Sequence, residues 1–101
     1  MKQTDRIQQM ETYLDECTKV FREFEKSLKK YEEVQKAYHK LSSYYMSPQW
    51  MKDFEADEAG KLPKDLKRGV LSEDAVFDLM DRNQEIVARL LAVAAEDMKK
   101  R

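Results

Sequence analysis

The chain has 101 residues, 42% of them hydrophobic and 39% charged, with only two glycines, two prolines and one cysteine. So few turn residues argue against a sheet-rich fold, while abundant Lys, Arg, Glu, Leu and Met favour helices with charged outer faces. The formal net charge is −1, divided as nine basic and eight acidic groups over residues 1–46, five and five over 47–71, and five and seven over 72–101, which argues against a dedicated nucleic-acid or membrane binder.

The first segment carries the clearest pattern. Ile7, Met10, Leu14, Cys17, Phe21, Phe24, Leu28 and Tyr31 alternate spacings of three and four, and Tyr38 and Tyr45 continue the series past polar Gln35 and Ser42. This is a heptad seam, the mark of a coiled-coil or bundle helix. With Ile7 as position a, the g positions hold Tyr13, Val20, Val34 and Leu41, where a two-stranded coiled coil usually has charges. The wider stripe points to packing against more than one neighbour. Acid-before-base pairs at i,i+4 (Asp15–Lys19, Glu25–Lys29, Glu32–Lys36) support the helix. With Thr4 as N-cap, the segment reads as one helix from about 5 to about 44, near 60 Å long at ~1.5 Å per residue.

Ser47-Pro48 restarts the chain, serine as N-cap and proline at the first helical position. A short helix is expected over 48–58, burying Trp50, Met51 and Phe54 and stopping at Gly60. Leu62-Pro63 opens a further turn or short helix through Leu66, closed by Gly69. Ser72 then caps a final helix, about 73–98, with Glu73 and Asp74 in its first turn, where the helix dipole favours acids. Its apolar face is Val76, Leu79, Met80, Ile86, Val87, Leu90, Val93 and Ala94, interrupted by Asn83 as Gln35 interrupts the first. The fold expected is a single all-α domain: a long-helix antiparallel hairpin or small helical bundle, with one or two short helices at the connection (about 48–68). The last helix spans only about 39 Å. Run back from the end of the first, it would stop near Cys17 and leave Ile7, Met10, Tyr13 and Leu14 for a second chain. Started lower, beneath a tip covered by residues 47–71, it would reach them itself.

The block that starts at Tyr44, YYMSPQWMKDFEADEAGKLPKDLKRGVLSEDAVFDLM, resembles a bacterial family of short helical proteins that carry a domain of unknown function. Its most specific parts are Trp50-x-x-Asp53, Leu62-Pro63 and the run Leu66-Lys67-Arg68-Gly69-Val70-Leu71-Ser72-Glu73-Asp74. The resemblance covers most of the chain. It implies a bacterial, intracellular, helical protein and brings no reaction, ligand or partner with it.

Catalytic sets are wanting. Cys17 and His39 are the sole residues of their types and stand 22 positions apart on one helix, about 33 Å along its axis, so one chain cannot pair them as thiolate and imidazole. Cys17, at a d position, is expected as a core thiol, and His39, at e, as a solvated flank residue. Two glycines cannot build a phosphate-cradling loop. Asp53, Glu55, Asp57 and Glu58 superficially resemble alternating calcium ligands, yet counting from Asp53 an EF-hand loop would place Glu58 where glycine is needed and Lys64 where the bidentate glutamate is needed. A solvated acidic face explains them better, although Asp53, Asp57, Glu73 and Asp74 could converge on a hard cation. Lysines along the first helix are interleaved with Glu23, Glu25, Glu32 and Glu33, which leaves little counterion-release drive toward nucleic acid. Lys64, Lys67 and Arg68 form a smaller basic patch that faces either phosphate or a carboxylate of the same fold.

Two surfaces remain. One is the seam of Ile7, Met10, Leu14, Cys17, Phe21 and Phe24. The other is an aromatic tip of Tyr44, Tyr45, Trp50 and Phe54, expected mainly as core but also able to serve as a contact rim. The reading is a non-enzymatic protein that self-associates or offers its seam to another helical protein, with no catalytic residue, no cofactor and no membrane or nucleic-acid partner. The alternative is a metal- or small-ligand-binding protein, a hydrolase among the possibilities, that uses the acidic cluster. A polar N-terminus, the lone cysteine and no run of the roughly 18–20 apolar residues that span a bilayer give the cytoplasm as the expected location.

Overall fold

The computed structural model describes residues 2–100, and every regular element among them is helical. Helix α1 spans Gln3–Tyr44, α2 spans Pro48–Glu58 and α3 spans Ala75–Lys99, with a 3₁₀ turn at Gly69–Leu71 before α3. One long helix followed by shorter ones is what the heptad pattern and the scarcity of turn residues dictate. The chain divides into two units, Met1–Ala37 and Tyr38–Arg101.

Within the first unit, residues 3–37 are a single uninterrupted stretch of α1. No glycine or proline falls within it, and nothing in its sequence offers the backbone an alternative to i→i−4 bonding. Two of its threonine hydroxyls are absorbed by the helix itself: Thr12 Oγ1 donates to the Gln8 carbonyl at 3.1 Å and Thr18 Oγ1 to the Leu14 carbonyl at 2.7 Å. No residue of α1 is buried.

The second unit holds the end of α1, then α2, the 3₁₀ turn and α3. Helix α1 stops where Met46 takes a left-handed backbone (φ 65) and Ser47 turns extended (φ −71, ψ 165), the geometry a following proline favours. Ser47 Oγ accepts the Trp50 N–H at 3.1 Å, and Pro48 occupies the first turn, where a missing N–H costs nothing. At the other end of α2, Gly60 (φ 69) donates its N–H to the Asp57 carbonyl at 3.0 Å, and Lys61 donates to the Ala56 carbonyl at 2.9 Å. These are the paired bonds of a Schellman stop, which needs a residue free to adopt positive φ.

Between α2 and α3 the structure departs from the sequence expectation. Pro63–Leu66 takes the turn form of the two expected (Leu66 N–H to Pro63 carbonyl, 3.2 Å), but Gly69 opens the 3₁₀ turn instead of closing an element. The reason is tertiary. The Val70 carbonyl is claimed by the Trp50 indole N–H at 2.8 Å, which ties this segment to α2. Ser72 still serves α3, but from three residues ahead of its first turn: its Oγ accepts the Ala75 N–H at 3.1 Å and donates to the Gly69 carbonyl at 2.9 Å.

Candidate functional site

The distinctive block is spent on holding the second unit together. Trp50, Leu71 and Val76 are its buried hydrophobic side chains, and Trp50 is only 3% exposed. Three aromatic rings interlock there, Trp50 lying stacked on Phe54 with centroids 5.2 Å apart and edge-on to Tyr45 at the same distance. Tyr45 Oη then donates to the Glu73 carbonyl at 2.8 Å, just before α3 begins. Tyr44 Oη donates to Asp53 Oδ2 at 2.6 Å, and Gln49 Nε2 donates to Asp53 Oδ1 at 3.2 Å. That carboxylate holds the Tyr44 proton, so the phenol pKa is pushed up from 10.0 to about 12, the hydrogen bond acting first, then desolvation and the negative charge.

Arg68 explains part of the basic patch. It donates to Asp57 Oδ1 at 2.7 Å and to the Lys64 carbonyl at 3.3 Å, so the anion it meets is a carboxylate of its own fold. Both oxygens of Asp53 and one of Asp57 are thus engaged, while Glu73 and Asp74 are exposed. Among the described residues no three His, Cys, Asp or Glu side chains are grouped so as to hold a metal ion. An open apolar recess of about 440 Å³ lies in the same unit, lined by Leu41, Val70, Val76 and Leu79 with Lys67.

The sequence pattern groups Tyr44, Tyr45, Trp50 and Phe54 but does not reveal the Tyr44–Asp53 bond. The aromatic-to-acid spacing alone does not announce that bond, because nothing local fixes the angle between α1 and α2.

The matching family model is described as Domain of unknown function (DUF4298), and it covers residues 7–93. The chain belongs to that family. No curated protein and no solved structure matches it. The match takes in both the aromatic block of this DUF4298 chain and the heptad seam ahead of it.

That seam presents the contrast. In the unit ending at Ala37, Ile7 is 53% exposed, Met10 52%, Leu14 58%, Phe21 64% and Phe24 51%. The flanking g residues Tyr13 and Val20 are exposed as well. Cys17, expected as a core thiol, is instead exposed, as are its seam neighbours Leu14 and Phe21. Helix α3, in the other unit, buries Val76 near its start and leaves Leu91, Val93 and Met98 exposed. No helix among the described residues is long and apolar enough to cross a membrane.

Proposed function

We propose that this is a non-enzymatic protein–protein interaction protein of the bacterial cytoplasm, whose working surface is the α1 seam, covered in use by an apolar helix. A single observation carries the reading: the side chains at heptad spacing from Ile7 to Phe24 are, Cys17 aside, large, apolar and about half exposed or more, and Cys17 is exposed among them. Isolated surface hydrophobics are ordinary, but a contiguous row at a/d spacing is the shape that helix-in-groove recognition requires. The absence of the usual g-position charges supports a partner that covers the g flank too. The aromatic block serves this function indirectly, by holding the second unit in one arrangement.

Site-specific photo-cross-linking in the producing cells tests the reading. A benzophenone side chain at Phe21 should give a discrete adduct, and one at Lys19, on the outward face of the same helix, should give none. Equal cross-linking at both positions, or none at Phe21, would overturn the proposal.

A further inference from the structure

We propose that the seam's occupant is a second copy of the same chain, lying antiparallel about a two-fold axis between Asp15 and Glu16, and this rests on the interaction reading above. Reversing the exposed segment on itself sets Ile7 against Phe24 of the partner subunit, Met10 against Phe21 of the partner subunit, and Leu14 against Cys17 of the partner subunit. Each is an a position facing a d position, as antiparallel packing demands. Each also sets a larger side chain against a smaller one, which keeps Phe21 and Phe24 from meeting their own equivalents and makes Leu14–Cys17 the thinnest layer. A parallel pair would instead stack Phe21 and Phe24 each on its own equivalent and leave a thin layer at Cys17.

The flanks select this register. On the g side Tyr13 meets Val20 of the partner subunit, apolar against apolar, which accounts for the missing g charges. On the e side Glu11 meets Thr18 of the partner subunit and Glu25 meets Thr4 of the partner subunit, so no like charges oppose one another. Sliding the partner by one heptad toward the C-terminus would bring Glu11 against Glu25 of the partner subunit, twice by symmetry, and like charges across a seam are a recognised specifier against the wrong register. The area is adequate too. Seven side chains (Ile7, Met10, Tyr13, Leu14, Val20, Phe21 and Phe24), exposed between 46% and 64%, present on the order of 800 Å² per chain, about what each partner of a standard stable interface contributes.

Cysteine pairs test the arrangement. In a Cys17→Ser background, Ile7→Cys with Phe24→Cys, and separately Met10→Cys with Phe21→Cys, should give covalent dimers under mild oxidation. Each single-cysteine variant should stay uncross-linked. Two residues of either pair lie too far apart on one helix to bond within a chain, and circular dichroism checks that each variant stays helical. Dimers from the single-cysteine variants would show a parallel pair and overturn the proposal. A lack of cross-linking in both doubles overturns the register. A Phe21 photo-adduct whose mass is not twice that of the chain removes the second copy as occupant and leaves the interaction function standing; no adduct removes both.

Discussion

Replacing Trp50 is the most informative perturbation of the second unit. The indole is 3% exposed, stacked on Phe54, edge-on to Tyr45, and bonded through Nε1 to the Val70 carbonyl at 2.8 Å. Trp50→Ala removes all of this, and the loss of a buried tryptophan of this kind costs about 3–5 kcal/mol. Trp50→Phe keeps a stacked ring but forfeits the indole N–H, about 1 kcal/mol net for the hydrogen bond, plus a trimmed ring worth about another 1 kcal/mol. The phenylalanine variant should therefore fall near the midpoint between wild type and alanine. Urea unfolding followed by far-UV circular dichroism measures both, at fixed protein concentration, because any association would shift the midpoints. Fluorescence is unsuitable, as Trp50 is the chain's single tryptophan. An alanine variant destabilised by less than about 1 kcal/mol would refute the view that Trp50 is the centre of the unit's packing. A phenylalanine variant as damaged as alanine would mean that the Val70 bond, and not the ring, does the holding.

Tyr44 titrates near 12 while bonded to Asp53, so its contribution to stability is complete below the ordinary phenol pKa of 10.0 and is lost as pH rises through about 12. In a tyrosinate absorbance titration one phenol should lag the others, and Asp53→Asn should abolish the lag; no laggard would contradict the bond. Asp57→Asn and Arg68→Gln should each cost about 0.5–1 kcal/mol, the pair being partly solvent-screened, and the double variant little more than either single. Additive losses in a denaturation cycle would show that the two side chains do not act together. Met46, left-handed and well exposed, should gain about 0.5–1 kcal/mol on replacement by glycine, seen as a higher melting temperature, and a lower one would count against strain at that turn.

Much of the fold is written in local chemistry. The seam from Ile7 onward, the Ser47-Pro48 restart and the Gly60 stop each follow from one residue type in one backbone geometry, and all are legible without a structure. Ser72 was legible as a capping residue, though α3 begins a little later, at Ala75. What was illegible depends on distant partners. Gly69 looked like a helix stop, but Trp50 reaches 20 residues along the chain to bond Val70 and makes that glycine the start of a 3₁₀ turn. The carboxylate facing Arg68 could be guessed as a class, yet only the packing of the second unit identifies it as Asp57. Met46 gave no signal, because methionine has no preference for the left-handed region it occupies. The acidic residues misdirect in the other sense. Asp53 looks free in sequence, while Tyr44 and Gln49 occupy both of its oxygens.

The proposed function requires that a second chain cover the exposed α1 seam. Molar mass by size-exclusion chromatography with light scattering, over roughly a hundredfold range of concentration, tests it most directly. Wild type should run at twice the 12.0 kDa chain mass, and Phe21→Glu, which sets a charge against Met10 of the partner subunit, should run at the chain mass. A wild-type protein that stays at the single-chain mass across the whole range would contradict the account.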